Sequence, residues 1–272
     1  MPYAKICIAG HSGSGKTFTA AKAPYPFFLL FEPQGELSAK AGSAAAGEEP
    51  THVGVRRCSL DLEGLQSSLD FIHKLDNPSS ENLPLDPRTT IVIDSLSAVQ
   101  QACMREIAKS KASKRVNHGL IRALNQDDWD LANRWLLHWL DQVLAVDYNV
   151  IVLVHARRPE RKSGGKIVLE PRLEGQRIND FLHQRFTAVG MLHRIFDRAT
   201  QTTQRVVVFD PVAEVDGRIC LGKPGPGLRP VEHAEPAWWI ETMQLAMTGQ
   251  PSPHPAPDLR PPLPASSPVR LA

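Results

Sequence analysis

Residues 10–17, Gly10-His11-Ser12-Gly13-Ser14-Gly15-Lys16-Thr17, constrain this chain more than any other stretch. They satisfy G-x-x-x-x-G-K-[ST], the loop that cradles phosphates. Glycines let the backbone close into a nest of amide N–H groups. A helix leaving the loop adds its positive end to that nest. Lys16 is placed to reach the β- and γ-phosphates, and the Thr17 hydroxyl to ligate Mg²⁺. The flanks agree with the motif: Ala4–Ala9 reads as a strand entering the loop, and Thr17–Lys22 as the helix leaving it. The whole loop, Gly10, His11, Ser12, Gly13, Ser14, Gly15, Lys16 and Thr17, is the expected nucleoside triphosphate site, with ATP and Mg²⁺ as cofactors.

A phosphate loop between a strand and a helix requires an α/β domain, and apolar runs supply further parallel strands. Pro24 and Pro26 stop the first helix, and Phe27–Phe31 is wholly apolar, as a strand covered on both faces must be. It ends in Glu32-Pro33-Gln34-Gly35-Glu36, at the strand edge where open α/β sheets place their chemistry. Residues 38–52 read as a surface connection, Val53–Ser59 as a strand, and Leu62–Leu75 as a helix with an apolar stripe. Thr90–Asp94 is a β-branched strand ending in a carboxylate, the Walker B pattern whose Asp94 completes the metal site with Thr17. Ser95 follows it, so a base for water must come from elsewhere, and Glu32 and Glu36 are the candidates. Trp129–Val146 reads as a helix with Trp135 and Trp139 on its apolar face, and Asn149–Val154 as a buried strand ending at His155, a candidate γ-phosphate sensor.

Two segments are locally basic although the net charge is only +2. Cys103–Arg122 holds six Lys or Arg against one acid, including Lys109, Lys111, Lys114 and Arg115. Ala156–Arg177 holds seven against three, including Arg157, Arg158, Arg161, Lys162 and Lys166 around a Ser163-Gly164-Gly165 tip. Either segment is a solvated surface or a contact for a nucleic-acid backbone. Beyond Phe186, shorter strands (186–192, 205–209 and 218–221) point to an antiparallel extension, and residues 235–247 to a last helix. The domain is expected to span residues 1–248, with 249–272 a disordered tail in which eight of 24 residues are proline. Four scattered cysteines imply neither a metal site nor a disulfide framework. No signal peptide or membrane-length apolar run is evident, which points to the cytoplasm, that of a bacterial host for a phage-borne gene.

The ordered set of P-loop, Phe27–Glu36 strand end, Ile91–Asp94, Trp-containing helix, Val150–His155 and terminal Lys223 resembles the phage-type RecA-like ATPases, minimal RecA/RadA relatives. The resemblance covers about residues 3–232 and implies a RecA-like α/β core, a mostly parallel sheet with a C-terminal antiparallel extension. It further implies ATP hydrolysis, a homo-oligomer with nucleotide at subunit interfaces, and single-stranded DNA bound in recombination, annealing or replication. By the same resemblance a glutamate after the second strand activates water, His155 senses the γ-phosphate, residues 156–170 form a DNA loop, and Lys223 reaches a neighbour's nucleotide. The family's Asp-Thr-Glu-Gly aligns its glutamate with Gln34, and Lys223-Pro224-Gly225 stands where Lys-x-Arg or Lys-x-Lys is usual. Another reading is a nucleotide-dependent switch or assembly ATPase acting on a protein, and a third is a small-molecule kinase. The tail could tether a single-strand-binding protein.

Overall fold

The computed structural model describes residues 3–47, 53–75, 86, 88–112, 124–156, 160–161, 167–169, 171, 173–197, 202–210, 214–215, 218–220 and 222–257. Its centre is an eight-stranded sheet in the order β12-β9-β8-β1-β5-β4-β2-β3. The strands are β1 (Lys5–Gly10), β2 (Pro26–Leu30), β3 (Gly54–Arg57), β4 (Thr90–Asp94), β5 (Asn149–His155), β8 (Ala188–Asp197), β9 (Thr202–Val208) and β12 (Val231–His233). From β8 to β3 every pairing is parallel, whereas β8–β9 and β9–β12 are antiparallel. The continuous apolar runs seen in sequence follow from burial on both faces. One face carries α3 (Leu62–Leu75), α4 (Leu96–Ala112), α5 (Gln126–Ala145) and α6 (Gln176–Arg185), anchored by Ile72, Val99, Leu140 and Leu182. The other carries α1 (Lys16–Ala20), α2 (Gly35–Ala45) and α7 (Pro236–Met247), through Ala20, Ala39 and Trp239.

Local chemistry sets the element ends. A capping box opens α5: the Asp128 amide donates to Asn125 Oδ1 at 3.0 Å, and the Asn125 amide to Asp128 Oδ2 at 3.1 Å. α1 and α2 approach so closely that a Cβ on Gly42 would stand 2.2 Å from the Phe18 carbonyl oxygen. Only glycine permits that spacing.

Several expectations need correction. Residues 38–52 are not a plain connection, because α2 occupies Gly35–Ala45. It packs through Ala39, Gly42 and Ser43, residues too small to write an apolar stripe. Trp135 is not on the buried face of α5: it is 39% exposed, while Trp139 is buried and donates from Nε1 to Ser68 Oγ at 3.0 Å. Arg218–Cys220 (β11) does not extend the main sheet. It joins β10 (Glu214–Val215), β7 (Ile167–Leu169) and β6 (Glu160–Arg161) in a second sheet ordered β10-β11-β7-β6. Within the span read as tail, residues up to 257 are described, and part of that stretch packs back on α7: His254 stacks on Trp238 at 4.7 Å, and its carbonyl accepts from Arg229 Nη2 at 2.6 Å. The remainder, 258–272, lies outside the described residues. Among the described residues no helix is long and apolar enough to cross a membrane.

Candidate active site

The carboxyl ends of β1, β2, β4 and β5 meet at one edge, and hydrogen bonds lock them in register. The Ala156 amide donates to the Gly10 carbonyl at 2.9 Å, the Phe31 amide to the Asp94 carbonyl at 2.7 Å, and the His155 amide to Ser97 Oγ at 3.0 Å. At that edge β1 turns into the P-loop. Gly15, at φ 94°, delivers the chain into α1 from the left-handed region that glycine adopts without strain.

Lys16 is buried, and its ammonium donates to the carbonyls of Gly10 at 2.9 Å and His11 at 3.0 Å. Burial lowers its pKa, opposed by the charges of Asp94 and Glu32. Thr17 Oγ1 donates to Asp94 Oδ2 at 2.7 Å, so strands distant in sequence bring the two expected metal ligands together. Burial pushes the Asp94 carboxyl up to about 6, the nearby Glu32 charge adding to it while the Thr17 hydrogen bond and Lys16 oppose. Two converging hard oxygens suit Mg²⁺, which takes one or two protein ligands and completes its shell with phosphate and water. Among the described residues no group of three His, Cys, Asp or Glu able to hold a metal occurs.

Glu32 and Glu36 part company. Glu32 Oε1 meets His155 Nε2 at 2.8 Å and accepts from Ser95 Oγ. Those contacts, the His155 hydrogen bond first, hold its carboxyl below the usual range against partial burial, with Lys16 adding to them. Two neighbouring carboxylates are thus driven apart: Glu32 stays ionised and Asp94 holds a proton more readily. Glu36 instead faces outward on α2, paired with Lys40 at 2.9 Å and Arg57 at 2.6 Å. Gln34 is exposed at the start of α2, with no side-chain capping bond. Gly35 tucks beneath Asp94: a Cβ there would lie 3.1 Å from Asp94 Oδ2.

The remaining expected residues lie elsewhere. Lys223 does not extend toward a nucleotide loop; its ammonium donates to the carbonyls of His183 at 2.9 Å and Phe186 at 2.8 Å, closing the last turn of α6. Lys109 pairs with Glu106 at 2.6 Å on the exposed side of α4, and Lys111 belongs to the last turn of the same helix. Arg161 is placed on β6, while Lys114, Arg115, Arg157, Arg158, Lys162 and Lys166 lie outside the described residues. Ser95, Arg194 and Arg205 belong to no motif, and non-local strand pairing brings the two arginines beside the P-loop.

Fold and site define an α/β P-loop ATPase domain, with the Lys16 strand and the Asp94 strand separated by β5. Residues 3–220 match the AAA_24 family, an AAA domain, and the chain belongs to that family. Among solved structures it is similar to a KaiC-like protein of the hyperthermophilic archaeon Pyrococcus horikoshii OT3. Identity is 16%, over 76% of this chain and 79% of that one, with a TM-score of 0.39. It is also similar to an ATPase of the type III secretion system of pathogenic bacteria. There identity is 10%, over 69% of this chain and 51% of that one, about half its length, with a TM-score of 0.41. No curated protein matches the chain.

Proposed function

We propose that this chain is a Mg²⁺-dependent ATPase with Glu32 as its general base, and that single-stranded DNA is the ligand its nucleotide state controls. The observation that carries the reading is the setting of Glu32, ionised at the end of β2 beside Lys16 and Asp94 and bonded to His155. The P-loop amides bind the phosphates, and Lys16 exchanges its two carbonyl partners for phosphate oxygens. Thr17 and Asp94 would hold Mg²⁺, which when bound offsets phosphate charge. Glu32 accepts a proton from a water whose oxygen bonds to the γ-phosphorus, as the bond to the β–γ bridging oxygen breaks and ADP leaves. His155 orients Glu32 through Nε2 and stands at the last position of β5, directly before the segment that supplies β6 and β7. That segment carries the basic run 157–166, which supports an anionic polymer as the ligand. A homo-oligomer with nucleotide at its interfaces belongs to the same proposal; Lys223, engaged on α6, is not assigned to it.

The test is ATP turnover with and without single-stranded DNA, at low and moderate salt, for wild type and Lys16→Ala. The reading expects turnover that DNA stimulates, that salt suppresses, and that the variant lacks. Turnover indifferent to DNA, with no strand bound at low salt, overturns the DNA assignment in favour of a protein-directed switch.

A further inference from the structure

Arg205 of β9 lies directly opposite Arg194 of β8, so the two share one sheet face. It is the face packed against α1, because Leu192 and Val207, the next pair on that face, join the core of Ala20 and Ala21. β8 outruns β1: their pairing ends at Met191, while β8 continues to Asp197, so both arginines stand beyond the end of β1 at the P-loop. The Arg205 guanidinium lies 4.6 Å over the Phe18 ring, and its Nε stands 2.8 Å from where a Cβ on Gly15 would be. That Nε is buried and has no hydrogen-bond partner. Arg194 lines a cavity of about 250 Å³ whose facing wall is Gly10–Ser14. Among the described residues no carboxylate pairs with either arginine.

Like charges directly opposed on a sheet repel, and a buried guanidinium nitrogen without a partner is costly. Lys16, next to Gly15 in the chain, adds a third cation. An anion held at this end of the P-loop would face both arginines, which lack a carboxylate partner among the described residues, and a guanidinium fork matches phosphate oxygens. We propose that Arg205, with Arg194 beside it, is a nucleotide-phosphate ligand supplied by the same chain, gripping the α- and β-phosphates where the P-loop meets α1. The inference rests on the ATP-binding reading above. Position selects the phosphates: Lys16 reaches the β- and γ-groups, whereas Arg205 sits at Gly15 and Phe18, on the α/β side.

The experiment is calorimetric titration of the full chain with ATP, ADP and AMP, for wild type, Arg205→Met and Arg205→Lys. Methionine keeps apolar length over Phe18 without the charge. Arg205→Met is expected to weaken ATP and ADP by the same factor, roughly tenfold to hundredfold, with lysine intermediate. Loss of ATP affinity alone would place the residue on the γ-phosphate and overturn the assignment, as would unchanged affinity for both. Wild type that binds no nucleotide overturns the P-loop reading itself, and this one with it. Should the variants not fold, phenylglyoxal labelling of wild type decides: ADP and inorganic pyrophosphate are expected to protect Arg205, and labelling unaffected by either overturns the proposal.

Discussion

Asp94→Asn should stabilise the Mg²⁺-free protein while abolishing turnover. Asp94 is 3% exposed, and burial raises its carboxyl from 3.8 to about 6. The folded protein therefore holds this proton more tightly than the unfolded chain does. Stability falls as pH rises from about 4 to about 6, and above that the deficit is complete, about 3 kcal/mol from this one group. Asparagine has the same shape and can still accept from Thr17 Oγ1, but carries no charge to desolvate. In chelator at pH 8 the variant should melt higher, by roughly 5 °C at about 2 °C per kcal/mol for a domain of this size, given partial relaxation. Scanning calorimetry of both proteins at pH 8, 6 and 4.5 measures the gap, which should shrink toward the acid end as wild type takes up its proton. Added Mg²⁺ with ATP should stabilise wild type far more than the variant. An Asp94→Asn protein less stable than wild type at pH 8, or a gap that does not change with pH, refutes the reasoning.

Other outcomes follow from single contacts. Gly42→Ala places a methyl 2.2 Å from the Phe18 carbonyl and should cost about 1–3 kcal/mol by forcing α1 and α2 apart, read by denaturant midpoint. Lys223→Ala strips two carbonyls at the end of α6 of their donor and should cost about 1–2 kcal/mol, while mixing with Lys16→Ala protomers restores no turnover beyond its own. His155→Ala frees Glu32 from its orienting partner and should lower kcat about tenfold or more with little change in ATP affinity, separable by turnover and titration.

The P-loop and the Asp94 strand end were legible because each is contiguous and its chemistry depends on local spacing. The apolar strands were legible for a similar reason: burial on both faces writes an unbroken run such as Val150–Val154. What failed was non-local or chemically quiet. α2 packs by Ala39 and Gly42, which leave no periodic signal. Glu32 follows β2 and meets His155, whereas α2 opens at Gly35 and turns Glu36 outward to Lys40 and Arg57, and four residues of spacing cannot express that difference. Ser95 was visible only as the absence of a glutamate, whereas the β2–β4 pairing makes it a donor to Glu32. Arg205 reads as the polar start of an apolar strand, and only antiparallel pairing with β8 carries it to the P-loop. Lys223, at a position that suggested action on a neighbour, serves the helix beside it.

The central claim is that Glu32, not Glu36, takes the proton from the attacking water. The measurement is the ATP hydrolysis rate and ATP dissociation constant of wild type, Glu32→Gln and Glu36→Gln in Mg²⁺. Loss of about hundredfold or more in rate for Glu32→Gln, with affinity nearly kept and Glu36→Gln close to wild type, is the expected result. An inactive Glu36→Gln beside an active Glu32→Gln would contradict the account.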